Sequence, residues 1–312
     1  MKMKVKLFIT TIILNLFFFE INSDEIKILY KIENEIITSL DVINEINYLS
    51  TLNENIASLE RDKVTKTAKN SLIREKIKKN EIDRIYSPNY DEVIKEFKVN
   101  NFIENLYKKL GYKTIEEFNA YLKTSNLDLN EIKKKFAIEL YWNQLIFDKY
   151  NKVVNIDQNK IESKLDNVMN NSLSQTEFKL SEIVFINDKE NNKYNEILNS
   201  INEVGFEETA LLHSISESSK FNGDIGWIKE NQISDKIFNL IQNLEIGSFS
   251  KPIITAGGSI ILKLNEKKTS KIEINKDEEL KKLISSEKNR ILTEYSLIYF
   301  KQIENKTYVK EF

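Results

Sequence analysis

Few side chains in this sequence can do chemistry. Cysteine is missing and His213 is the only histidine. Disulfides, thiol catalysis, Cys-ligated zinc, multi-histidine metal sites and paired-histidine mechanisms are therefore excluded within one chain. Ser214, Ser216, Ser218 and Ser219 crowd one segment. A serine nucleophile needs a histidine base oriented by a carboxylate; no such arrangement surrounds them, and the segment reads as a flexible polar loop. Glu207 and Glu208 are neighbours on an expected helix, so they cannot face one another as an acid–base pair. Glu217 has no evident acidic partner. The Gly257–Gly258 pair lacks the G-x-G-x-x-G context of a nucleotide-binding turn. Lys133 to Lys135 reads as a solvated helix face.

Charge narrows the partners. Lys+Arg is 46 against Asp+Glu 48 in 312 residues, a net charge of -2. That balance lacks the basic excess of a nucleic-acid binder. Arg61, Arg74, Arg84 and Arg290 are the only arginines, so forks for bidentate phosphate contact are few. The hydrophobic share of 41% supports a globular core rather than wholesale disorder. Lys2, Lys4 and Lys6 precede an apolar run, Leu7 to Phe19, which is too short for a bilayer core. Residues 1–23 are read as a secretory signal peptide, with an uncleaved membrane anchor as the alternative. Export to a bacterial periplasm is the expectation, without stable membrane insertion after cleavage.

The elements follow from the breakers. Of seven glycines, six lie between Gly205 and Gly258; between Asp24 and Leu173 only Pro88 and Gly111 interrupt the chain. The first part is expected to be mostly helical and the later part to hold turns and strands. A hairpin at Ile26 to Ile37 leads through Thr38 and Ser39, both N-cap types, into a helix carrying Val42, Ile46 and Leu49. Further helices are expected at Val64 to Lys79, at Tyr90 to Leu110 as one long helix with Gly111 as its C′ residue, from Thr114, from Asp128, and from Asp157 to about Val168. Phe178 to Phe185 reads as a strand, Asn191 to Asn202 and Phe206 to Leu212 as helices, Ile233 to Leu244 as a helix, and Phe249 to Ile254 and Ser259 to Leu264 as strands. Lys276 to Ile303 is a last long helix, and Tyr308–Val309 a terminal strand. The order predicts an α+β domain with a mostly antiparallel sheet.

Three pieces of that domain carry a resemblance. Asn222-Gly-Asp-Ile-Gly-Trp227 is similar to the G-G-D-L-G-W of parvulin-type peptidyl-prolyl isomerases. Gly247-Ser-Phe-Ser-Lys-Pro252-Ile resembles their G-E-V-S-x-P-V, and Gly258-Ser-Ile-Ile-Leu-Lys263-Leu their G-Y-H-I-I-K-L. Upstream, Lys31 to Val42 resembles the hairpin and first helix of SurA-like chaperones, and Lys301 to Phe312 resembles the returning C-terminal segment of that family. The chain has room for one parvulin domain, where well-known SurA proteins carry two.

The resemblance implies a multidomain α and α+β fold: signal peptide 1–23, helical SurA-like chaperone domain 24–172, parvulin-like domain 173–267, and a C-terminal helix and strand, 268–312, packing back on the helical domain. It also assigns site positions. The family's two histidines fall on Glu182 and Ile260, its loop Asp on Ser216, and its proline-pocket residues near Ile237 and Ile233. With Trp227, these form the expected peptide groove, and no residue is assigned a catalytic role. Amide rotation needs no nucleophile, only stabilisation of a twisted amide, and every polar member of the family's cluster is substituted. The expectation is a periplasmic chaperone that binds unfolded outer-membrane proteins, without cofactor or metal, its degenerate parvulin domain serving mainly to bind peptide. An active isomerase with a rearranged site is the alternative, and an anchored assembly factor a third reading. His213 is expected to have a packing or surface role.

Overall fold

In the computed structural model, residues 26–52, 56, 59–171, 174–186, 192–271 and 276–312 are described; the expected signal segment lies outside them. The chain opens with strands β1 (Ile28–Ile32) and β2 (Glu35–Thr38), which pair antiparallel. Helix α1 (Ser39–Leu52) follows directly. Its start is a reciprocal cap. The Thr38 hydroxyl accepts from the Asp41 amide at 3.2 Å, and Asp41 accepts from the Thr38 amide at 2.7 Å. Helices α2 (Arg61–Ile85), α3 (Tyr90–Val93), α4 (Phe97–Lys109), α5 (Ile115–Thr124), α6 (Leu129–Tyr150) and α7 (Gln158–Asn171) complete the first half.

The single helix expected from Tyr90 to Leu110 is two. Turns at Lys95 and Glu96 separate α3 from α4. The break lets Val93 and Ile94 turn inward together with Val99, Ile103 and Leu106, and it moves Phe97 and Phe102 outward. Phe97 is 82% exposed. One continuous helical stripe could not bury both groups at that spacing. Asp128 and Asp157 act as the expected caps, accepting from the amides of Asn130 and Lys160.

The second half begins with β3 (Ser174–Phe185), then α8 (Asn192–Val204) and α9 (Phe206–His213). The segment after α9 is not the free loop expected: Glu217–Phe221 forms a 3-10 turn. Strand β4 (Asp224–Lys229), helix α10 (Asp235–Ile241), β5 (Ile253–Thr255) and β6 (Gly258–Lys271) follow. The sheet order is β4-β3-β6-β5, and every neighbouring pair is antiparallel. The strand expected at Phe249 to Ile254 is shorter; Phe249 makes only an isolated bridge to Lys263, because Pro252 can donate no ladder hydrogen bond. Alternation along β3 divides the sheet into two faces. Ile183 and Phe185 pack with Ile197, Phe206 and Ala210 under α8 and α9, while Phe178 and Leu180 pack with Ile233, Ile241, Leu262 and Leu264 on the other face.

Helix α11 (Lys276–Glu304) then runs back along the first half, and β7 (Val309–Glu311) adds to the free edge of β1. The return is fixed by aromatic contacts. Trp142 donates its indole N–H to Ser296 at 2.8 Å and stacks on Tyr299, whose hydroxyl donates to Glu81. Tyr150 and Tyr295 stack nearly parallel, with ring centroids 4.5 Å apart. The first and last segments therefore share one sheet, β2-β1-β7, and one core.

Candidate functional site

Glu182 lies on β3 directly opposite Leu262, two residues from Val184, which lies opposite Ile260. Cross-strand partners and alternate residues share a face, so Glu182 and Ile260 stand on the same face as the Leu180 core. Ile237 packs against that core half-buried, and Ile233 is buried within it. The structure thus brings Glu182, Ile233, Ile237 and Ile260 to one side of the sheet. Trp227 does not join them. It pairs with Lys179, whose side chain points the other way, and Lys268 sits 4.1 Å over its ring.

The glycine-rich motif explains how the loop reaches Glu182. The Glu182 amide donates to the Gly223 carbonyl at 2.8 Å. Gly223 has φ +75°, and a Cβ there would sit 2.4 Å from the Glu182 carbonyl oxygen, so only glycine fits. Before it, the Val184 amide donates to the Ser214 hydroxyl at 3.0 Å and the Ile215 amide to the Val184 carbonyl at 2.7 Å. This lacing swings Ser216 and Ser218 onto Glu182. Both hydroxyls donate to its Oε1, at 2.6 and 2.9 Å. Sequence reading gave Ser216 and missed Ser218; the S-x-S spacing at the start of a 3-10 turn was its only signal.

Chemically, the site holds one carboxylate with two hydroxyls spent on it. Among the described residues the base they meet is Glu182 itself, so their protons point at its carboxylate and not at an incoming amide. Stabilising a twisted amide needs donors pointed at the developing charge. Among the described residues, no group of three or more His, Cys, Asp or Glu side chains could hold a metal ion.

In front of Glu182 lies a cavity of about 680 Å³, within the usual range for ligand pockets. Ile215, Ser216, Ser218 and Ile225 line one side; Leu140, Trp142 and Phe147 of α6, with Leu292, Leu297 and Phe300 of α11, line the other. The aromatic wall comes from the helical half, which the sequence reading did not assign to the site. Helix α11 also meets the β5–β6 turn, where a Cβ on Gly257 would come within 2.9 Å of Leu297.

Ion pairs hold the loop against the helices. The Lys78 ammonium, with the residue 4% exposed, lies 2.7 Å from Glu139 and 2.6 Å from Glu217. Lys220 lies 2.9 Å from Glu217, and Arg74 donates to the Ile215 carbonyl and faces the Phe300 ring at 5.4 Å. Glu217 is therefore not the isolated carboxylate the sequence suggested. Burial alone would raise its pKa, yet Lys220, Lys78 and Arg74 together hold it well below the ordinary carboxylate range. About half of its side-chain surface still reaches solvent, with Lys78 and Lys220 both within 3 Å of the carboxylate. The pairing is present at neutral pH and is lost only as pH falls below the usual carboxylate range. Lys135 is likewise no solvated charge; it bridges Glu45 and Glu75 beneath Tyr48.

His213 closes α9 away from Glu182. Its Nδ1 lies 3.2 Å from the Lys193 ammonium and 3.5 Å from Glu196. Burial, then the charge of Lys193, pushes its pKa down to about 4.

Residues 186–266 match the Rotamase family, described as the PPIC-type PPIASE domain. This stretch is a parvulin-type domain, and the chain is similar to SurA chaperones. Chaperone SurA of Pseudomonas putida is 20% identical over 176 residues, which is 53% of this chain and 41% of that protein. Chaperone SurA of Pseudomonas aeruginosa is 36% identical over 63 residues, covering 20% of this chain and 15% of that one. The chain thus spans about two fifths of the length of the Pseudomonas putida relative. Among solved structures, a SurA-like chaperone of Campylobacter jejuni aligns over 92% of this chain and 99% of its own, at 16% identity and TM-score 0.31. The PrsA isomerase of Bacillus anthracis aligns over 75% and 95%, at 22% identity and TM-score 0.30. No described helix is long and apolar enough to cross a membrane.

Two predictions follow from the charges. Lys78→Met removes the buried cation between Glu139 and Glu217 and leaves them only Lys220, 2.9 Å from Glu217 and 4.0 Å from Glu139. It should cost about 3 kcal/mol, the lower end for a broken buried pair because part of Glu217 meets water. Denaturant unfolding measures the loss, and hydrogen exchange should speed up first at residues 214–222. For His213, the unfolded chain binds a proton near the ordinary value of 6.5 and the folded chain only near 4. Stability should therefore fall as pH drops from about 6.5 to about 4. His213→Gln should flatten that part of the pH–stability curve, measured by thermal unfolding.

Proposed function

We propose that this SurA-like chain is a periplasmic chaperone that holds extended segments of unfolded outer-membrane proteins, with its parvulin-type domain used for binding rather than isomerisation. The observation that carries the reading is the cavity between Glu182 and the aromatic wall of α6 and α11. It offers apolar and aromatic contact to a peptide, and the two hydroxyls beside Glu182 are already turned onto its carboxylate. Of the expected groove residues, Glu182 and Ser216 line this cavity, while Ile233, Ile237 and Ile260 lie outside its lining, in or against the core on the same sheet face. Trp227 serves a separate outer surface, beside Lys268. The working division is 24–172 for the helical chaperone domain, 173–267 for the parvulin-like domain and 268–312 for the returning segment. Export would use residues 1–23 as a cleaved signal.

The experiment has two arms run on one preparation of residues 24–312. An unfolded outer-membrane barrel is diluted from denaturant with a several-fold excess of the protein, and light scattering follows aggregation. Scattering should be suppressed. In parallel, cis/trans exchange of X-Pro peptides, which is slow without catalysis, should run at its uncatalysed rate. Failure to suppress aggregation refutes the chaperone reading; fast exchange abolished by Glu182→Ala would replace it with the enzyme reading.

A further inference from the structure

The cavity is lined by five charged side chains: Arg74, Lys78, Glu139, Glu182 and Glu217. Four of them answer one another. Lys78 takes Glu139 and Glu217, and Arg74 belongs to the same field around Glu217. Glu182 is the exception. It faces the cavity half-buried, and among the described residues no lysine, arginine or histidine comes within ion-pair distance of it. Among the described residues its side-chain partners are the two serine hydroxyls, both on Oε1. They hold the carboxylate in one orientation without neutralising it.

That arrangement has a cost only when the cavity fills. In the open state water solvates the charge. A bound apolar segment displaces that water, and an ionised carboxylate enclosed without a cation is strongly disfavoured. A lysine or arginine on the segment removes the penalty through a charge-assisted hydrogen bond, and an aspartate or glutamate adds repulsion. We propose that the cavity selects client segments in which a lysine or arginine sits among apolar or aromatic residues, with the Glu182 carboxylate as the cation's acceptor. The proposal rests on the peptide-holding reading above. It makes Glu182 a specificity residue rather than a substitute for the family's histidine.

The test uses three capped peptides identical except for one central residue, Lys, Gln or Glu, flanked by Phe and Leu, titrated calorimetrically into the protein. The Lys peptide should bind about tenfold tighter than the Gln peptide, as expected for one hydrogen bond to a charged group, and the Glu peptide weakest of all. Added salt should shrink the Lys advantage. Glu182→Gln, which keeps an oxygen for Ser216 and Ser218, should bring the Lys and Gln peptides to the same affinity. Equal binding of the Lys and Gln peptides to the unaltered protein overturns the proposal. So does tighter binding of the Glu peptide, which would make Arg74 the anchor. So does a Lys preference that survives in Glu182→Gln. In each of those outcomes the Gln peptide still binds and the chaperone reading stands. Failure of all three peptides to bind removes that reading and the proposal with it.

Discussion

Lys78 is the most deeply buried cation that ties the loop of the second half to the helices of the first. Its ammonium is almost without solvent and lies between Glu139 of α6 and Glu217 of the turn that carries Ser216 and Ser218. A lysine buried this deeply is tolerated only because two carboxylates surround it. Each partner comes from a different part of the chain, so the pairing fixes a relative position rather than a local turn. The position it fixes is the loop against α2 and α6, and hence Glu182 against Trp142, Phe147 and Phe300 across the cavity. Such pairs add little net stability compared with an apolar replacement. Their contribution here is geometric: a carboxylate on one side, an aromatic wall on the other, and room between for a chain segment.

Helix α11 supplies the second constraint. Its Tyr295, Ser296 and Tyr299 lock onto Trp142 and Tyr150, and its Leu297 approaches Gly257 of the parvulin-type domain. One helix therefore braces both halves. The short pairing of β7 with β1 finishes the chain on the hairpin where the described part begins. The cavity is thus walled by elements far apart in sequence, and its shape depends on long-range packing more than on any single motif.

That dependence explains what was legible in the sequence. The hairpin, the Thr38 cap, the helix after Asp128 and the strand order of the second half were readable because each is set by local periodicity and capping. The Gly223 turn was readable because close backbone approach admits only glycine. The break between α3 and α4 was not, since no Gly or Pro marks it. Lys135 read as part of a solvated face, and the cations around Glu217 went unseen, because ion pairing between distant segments leaves no periodic trace. Trp227 was drawn into the groove by its motif, yet strand alternation turns it to the opposite face. The aromatic wall was hidden for the same reason: Trp142 and Phe300 look like ordinary core positions until the helices are brought together.

The central claim is that an extended client lies between Glu182 and the α6–α11 wall. Site-specific photocrosslinking tests it most directly, with a photoreactive residue at Phe147 inside the cavity and, separately, at Phe97, which is exposed but outside it. An unfolded barrel protein should crosslink strongly at position 147 and weakly at 97. Equal labelling at both positions, or labelling at 97 alone, would contradict the account.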